Sequence, residues 1–191
     1  MINMVIVGVG GQGTLLASKI LGYLALKNNY DVRVSEVHGM SQRGGSVVTY
    51  VRMSDKERIY STIVEQEQAD VVLAFESLEA VRALPYVKDG GVMIVNTQEI
   101  LPMPVIVGAA QYPADCLERV RRAVKTVELD ATGLAHACGT YRAANVVLLG
   151  VLAHYLPFAK EDWMDAIEKN VKPKFVQINQ NAFMKGYDFE R

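Results

Sequence analysis

The stretch Met4–Leu21, MVIVGVGGQGTLLASKIL, constrains this chain more than any other. Its first five residues are apolar without alternation, the pattern of a short strand inside a parallel sheet covered on both faces. From about Gln12 to Asn28 the period changes. Leu16, Ile20 and Leu24 fall at i, i+4 and i+8, which lays one apolar stripe along a helix. Between strand and helix, Gly8, Gly10 and Gly13 fit G-x-G-x-x-G in the context that motif requires. Gly8 permits the tight turn, Gly10 lets backbone approach a phosphate, and Gly13 lets the helix pack close to the strand. The backbone N–H groups of Gly10, Gly11, Gln12, Gly13 and Thr14 then face any anion at the positive end of the helix dipole.

The rest of the chain continues an α/β pattern. Asp31–Val37 alternates and forms a second strand, which makes a βαβ unit of the first 37 residues. Ser46–Met53 is rich in β-branched residues, and the polar turn after it predicts a hairpin partner near Ile59–Thr62. Asp70–Phe75, Gly91–Asn96, Val105–Gly108 and Thr126–Asp130 read as further strands. Helices are expected at Ser77–Ala83, stopped by Pro85, and at Ala114–Val124. From Thr140 onward the pattern is helical, with segments at Arg142–Leu156, Lys160–Asn170 and Pro173–Lys185. The first is apolar nearly all round, so it should be buried in the domain or against another chain. The expected fold is a single domain over 1–191: an open, mostly parallel Rossmann-like sheet with helices on both faces over 1–138, then a C-terminal helical segment over 139–191.

Charge and composition narrow the functions such a fold can serve. With 20 basic and 21 acidic residues, the net charge of −1 provides no electrostatic footprint for nucleic acid or an anionic membrane. The longest apolar run, VVLLGVLA, is far shorter than the ~18 residues of a membrane span. The N-terminus lacks the basic region of a signal peptide, so the expected location is cytoplasmic. Cys116 and Cys138 are the two cysteines, and two thiolates cannot hold an iron–sulfur cluster that takes about four. The three histidines, His38, His136 and His154, show no metal-ligand spacing, so neither a metal nor a catalytic residue is assigned.

The glycine turn leaves several ligand classes open. It also matches G-x-x-x-x-G, but Thr14 stands where a P-loop needs its lysine, so an NTPase reading is poor. A free-standing NAD(P)- or flavin-dependent oxidoreductase wants an acid at the end of the second strand, and Glu36 is close to that place. The strand runs on, however, into the polar loop HGMSQRGG. Ser41, Gln42 and Arg43 there can reach a phosphate or a partner surface, and Arg43 can equally brace the loop through Glu36. A sharp turn that binds nothing, in a non-enzymatic nucleotide-binding or assembly module, is the remaining alternative. His38 reads as a hydrogen-bonded loop or interface residue. Glu76 and Glu79 read as helix capping or dipole compensation, against an acid–base pair. Asn96 ends a strand in the expected crevice, where it either touches a ligand or turns the chain. Arg142 and Asn145 need partners if they are buried.

Taken together, GVGGQGTLLASKILG and EVHGMSQRGGSVVTYVR resemble the gamma-type subunit of the 2-oxoacid:ferredoxin oxidoreductases. ADVVLAFESLEAVRAL and GTYRAANVVLLGVLAHYL extend the resemblance over nearly the whole chain, and its indolepyruvate branch, with a stand-alone beta subunit, is the most similar. The resemblance implies a subunit of an assembly that oxidatively decarboxylates a 2-oxoacid, in this branch an arylpyruvate, to an acyl-CoA while reducing ferredoxin. It places thiamine diphosphate, magnesium and the 4Fe-4S clusters in a larger catalytic partner. This chain would then pack on that partner and help bind coenzyme A. Gly8, Gly10, Gly11, Gln12, Gly13, Thr14, Ser41, Gln42, Arg43 and Asn96 are the expected ligand contacts. Ferredoxin would be met only indirectly, and a homodimer is the alternative assembly for the isolated chain.

Overall fold

In the computed structural model, which describes residues 1–39 and 44–190, a six-stranded sheet has the order β2-β3-β1-β4-β5-β6. The strands are β1 (Ile2–Val9), β2 (Asp31–His38), β3 (Ser46–Ser54), β4 (Ala69–Ala74), β5 (Val87–Asn96) and β6 (Lys125–Leu129). The helices are α1 (Thr14–Lys27), α2 (Ser77–Ala83), α3 (Met103–Ile106), α4 (Cys116–Ala123), α5 (Ala131–Ala137), α6 (Ala144–Leu152), α7 (Lys160–Asn170) and α8 (Val176–Tyr187). β1, β4, β5 and β6 run parallel. β3 is reversed and lies between β1 and β2, antiparallel to both.

That insertion corrects two sequence expectations. β1 and β2 are parallel, but they do not touch as a simple βαβ unit would have them. The hairpin partner of β3 is β2, and residues 59–62 form no strand. Arg52 explains the second point. Its guanidinium takes the carbonyls of Ser61 and Ile63 at 3.0 and 3.3 Å, so that segment hangs on a side chain where a ladder was expected.

Alternation in the strands builds two cores. Met4 and Ile6 of β1 face a core shared with α1, α5, α6, α7 and α8. Val5 and Val7 face the other, closed by Ala80 and Ala83 of α2 and Val120 of α4. α6 belongs to the first core: Asn145 to Leu152 are all buried. It meets α8 backbone to backbone, because a Cβ added at Gly186 would lie 1.8 Å from the Val147 carbonyl oxygen, and one at Gly150 2.1 Å from that of Phe183.

Two further corrections concern short elements. Val105–Gly108 is no strand; it overlaps the single turn α3, which follows Pro102 and carries Pro104 within its first turn, where the missing N–H costs nothing. α5 was not foreseen. Asp130 caps it, its carboxylate accepting from the Gly133 N–H at 2.8 Å. No helix among the described residues is long and apolar enough to cross a membrane.

Candidate functional site

The crevice at the carboxyl ends of β1, β4 and β5 is built on the glycine turn. Gly8 is enclosed: an added Cβ would lie 3.0 Å from Gln12 Oε1 and 3.1 Å from the Phe75 Cβ. Gly11 and Gly13 adopt left-handed backbone, with φ of 103° and 89°, which other residues enter at a cost. Gly10 donates its N–H to the Gly45 carbonyl at 2.8 Å, so the turn is sewn to the end of the loop that follows β2. α1 starts without a side-chain cap, and its first internal bond runs from the Ala17 N–H to the Gly13 carbonyl at 3.1 Å. The N–H groups of Thr14, Leu15 and Leu16 therefore have no partner within the helix, as at any uncapped helix start.

Two clefts open on either side of this turn, and Gly11 and Gly13 border both. One, of about 580 Å³, lies between the starts of α1 and α6. Gln12, Asn96, Gln98, Thr132 and Asn145 form its polar walls, with Tyr141 and Arg142 exposed beside it. The other, of about 430 Å³, lies toward β2 and is lined by Glu36 and His38.

Several predicted contacts prove to be committed within the protein. Gln12 folds back into the turn: its Oε1 accepts the Val9 N–H at 2.7 Å, and its Nε2 donates to the Phe75 carbonyl at 2.9 Å. Asn96 is 1 % exposed; its Oδ1 accepts the Ala131 N–H at 3.0 Å and its Nδ2 donates to the Phe75 carbonyl at 3.1 Å. Both amides thus tie β1, β4, β5 and α5 together at the rim of the crevice. Thr14 gives its hydroxyl to Glu36 at 3.2 Å, and Thr49 does the same. Glu36 is consequently a brace between α1, β2 and β3. His38 is exposed, with Nδ1 3.0 Å from the Gly39 carbonyl. Asn145, which sequence alone left without a partner, donates to the Gly13 carbonyl at 3.1 Å and locks α6 to the turn. Ser41, Gln42 and Arg43 lie outside the described residues.

The start of α2 holds two buried carboxylates. Glu76 is the N-cap: one oxygen accepts the Glu79 N–H at 2.8 Å, the capping role anticipated from sequence. Its other oxygen accepts the Ile100 N–H at 3.0 Å and the Tyr112 hydroxyl at 2.5 Å, anchoring both ends of the loop that carries α3. Burial, and then the Glu76 carboxylate, hold the Tyr112 phenol well above the usual range. Glu79 accepts from Ser46 at 2.5 Å and pairs with Arg82 at 2.5 Å, fixing the first residue of β3. Sequence reasoning missed Gln98, Thr132 and Tyr112, because each gains its role from a partner far along the chain.

The mostly parallel α/β sheet with a glycine turn at its crevice puts the chain in the Rossmann-like class of folds. The sequence pattern of the pyruvate ferredoxin/flavodoxin oxidoreductase family matches residues 3–189, and the chain belongs to that family. It is 44% identical to the indolepyruvate oxidoreductase subunit IorB of Pyrococcus horikoshii, over 96% of this chain and 93% of that protein. Its fold is similar to that of the keto/oxoacid ferredoxin oxidoreductase gamma subunit of Geobacter sulfurreducens (TM-score 0.73, 24% identity, 98% of this chain and 97% of that one). It is also similar to part of the 2-oxoglutarate:ferredoxin oxidoreductase of Magnetococcus marinus, solved with 2-oxoglutarate, coenzyme A and succinyl-CoA bound (TM-score 0.73, 17% identity). That match covers 97% of this chain and 30% of the larger one.

Proposed function

We propose that this chain is the small, gamma-type subunit of a 2-oxoacid:ferredoxin oxidoreductase acting on arylpyruvates such as indolepyruvate. The observation that carries this reading is the end-to-end similarity, at 44% identity, to an indolepyruvate oxidoreductase subunit. In the complex, a 2-oxoacid is decarboxylated and its acyl group passes to coenzyme A, with the two electrons leaving to ferredoxin. Thiamine diphosphate with magnesium and the 4Fe-4S clusters belong to the catalytic partner; Cys116 and Cys138 are too few for a cluster of this chain's own.

Coenzyme A is the ligand for which this chain has fitting groups. The unpaired N–H groups at the start of α1 suit its diphosphate, and Gly11, where an added Cβ would meet nothing within 4 Å, leaves open space beside them. Gly8, Gln12 and Asn96 set the shape of the turn, Gly10 holds it to the following loop, and Thr14 supplies backbone N–H. Ser41, Gln42 and Arg43 are assigned to the nucleotide end of the ligand or to the partner surface.

Isothermal titration of the purified complex with coenzyme A, and separately with NADH, NADPH and FAD, tests the reading. Binding of coenzyme A with no heat from the dinucleotides is the expected result. Tight binding of a dinucleotide and none of coenzyme A would reassign the glycine turn to a free-standing redox enzyme.

A further inference from the structure

The larger cleft contains a side-chain amide whose orientation is dictated by the backbone. Val9 N–H can only donate, so the Gln12 atom it meets at 2.7 Å is oxygen and the Gln12 NH₂ faces away, toward Gln98 at 3.1 Å. Ala131 N–H likewise selects the oxygen of Asn96 at 3.0 Å, and the Asn96 NH₂ also turns to Gln98, at 3.4 Å. Two NH₂ groups converge on one atom of Gln98, and Thr132 Oγ1 lies 3.4 Å from the same atom. That atom must be Oε1, since an amide flipped the other way would set donors against donors.

The consequence is a fixed donor. With Oε1 saturated, the Gln98 Nε2 has no partner among the described residues, and Gln98 borders the cleft of about 580 Å³. The backbone of Gln98 is held as well: its carbonyl accepts from the Ser77 N–H at 3.0 Å and hydroxyl at 3.2 Å. The walls beside it are neutral amides and hydroxyls interleaved with Leu16, Phe75 and Leu148, and Arg142, the one charged residue of the lining, is exposed. Such a lining suits an uncharged chain that carries amide carbonyls, and an oriented NH₂ group is the complement of one carbonyl oxygen.

We infer that Gln98 donates from Nε2 to an amide carbonyl of the pantetheine arm of coenzyme A, which lies in the cleft between α1 and α6. This rests on the coenzyme A reading above and adds to it which side of the turn takes the arm. The diphosphate sits at Gly11–Gly13, shared by both clefts, and the arm leaves it on the side that carries no carboxylate, away from Glu36.

Gln98→Glu separates a ligand role from a structural one. The near-isosteric carboxylate keeps an acceptor for Gln12, Asn96 and Thr132, but it faces the cleft with an acceptor in place of the donor. Titrating the purified complex with coenzyme A, pantetheine and 3′-phospho-ADP reads the effect by fragment. The expected result is about tenfold or greater weakening for coenzyme A and pantetheine, with 3′-phospho-ADP unchanged. Unchanged affinity for coenzyme A and pantetheine in the variant would overturn the role of Gln98 and leave the coenzyme A reading standing. Equal weakening for all three ligands would also overturn it, by indicating general damage to the turn. If the unaltered complex binds neither coenzyme A nor pantetheine, the inference falls together with the reading it rests on.

Discussion

Replacing Gly13 by alanine tests how tightly the turn is built. Gly13 has φ of 89°, and left-handed backbone costs an alanine about 1–2 kcal/mol. Its added Cβ would lie 2.6 Å from Asn145 Nδ2, closer than such atoms approach, so Asn145 must move. Moving it breaks its 3.1 Å bond to the Gly13 carbonyl and strands a side chain that is 2 % exposed, a further ~1–3 kcal/mol. The expected destabilisation is therefore about 2–5 kcal/mol. Gly11→Ala provides the internal control. Its φ of 103° imposes a comparable backbone cost, but an added Cβ there meets nothing within 4 Å, so about 1–2 kcal/mol is expected. Urea denaturation of the two variants and the parent measures the difference, and m-values check that the unfolding reaction is unchanged. In an Asn145→Ala background the clash is gone, and the cost of Gly13→Ala should fall to that of Gly11→Ala. Equal destabilisation by the two single substitutions, or an unchanged Gly13→Ala cost in that background, would refute the packing argument.

Other consequences can be read from single residues. Gly186→Ala should lower stability by more than about 3 kcal/mol or prevent folding, because the new methyl meets the Val147 carbonyl of α6; a normal thermal transition would contradict the contact. Glu76→Gln should speed amide hydrogen exchange across residues 99–112 while leaving β1 and β4 protected, since Glu76 holds both Ile100 and Tyr112. Burial, with help from the Tyr86 hydroxyl, pushes the Tyr50 phenol up to about 12, and Tyr112 is also raised. The folded state keeps protons that the unfolded state loses near pH 10. Their contribution is therefore present below about pH 10 and declines as pH rises through the window up to the folded values. A phenolate absorbance titration should show two tyrosines that ionise at higher pH than the usual range, one of them lost in Tyr50→Phe and the other in Tyr112→Phe. The Asp31 carboxyl is held low, chiefly by the Ile59 N–H, and the Asp165 carboxyl by Lys27. Their contribution is present above the usual carboxylate range and declines as pH falls through the folded values, so Asp31→Asn should flatten the acid side of the stability profile.

Much of the architecture was legible because apolar runs and breakers coincide with real boundaries. MVIVG, GVMIVN and all of DVVLAF but Phe75 lie in strands of the sheet interior, and Ser77–Ala83 ends where Pro85 predicts. The failures are places where local pattern was overruled or too short. VIVG looked like a strand by composition, yet Ile106 and Val107 are 62% and 68% exposed, and the prolines ahead of them start a helical turn. The position of β3 between β1 and β2 could not be read, because strand order is set by contacts far apart in sequence. At the site, the glycine turn was plain from spacing alone. That Gln12 and Asn96 turn inward, and that Gln98 faces the cleft, depends on bonds to Phe75, Ala131 and each other across up to 86 positions.

The most direct test of the account is turnover by the assembled enzyme. The catalytic partner should be purified alone and together with this chain, and indolepyruvate- and coenzyme A-dependent reduction of ferredoxin followed by its absorbance. The account predicts activity from the pair and little or none from the partner alone, restored when this chain is added back. Equal activity with and without the chain would contradict its assignment as a working subunit.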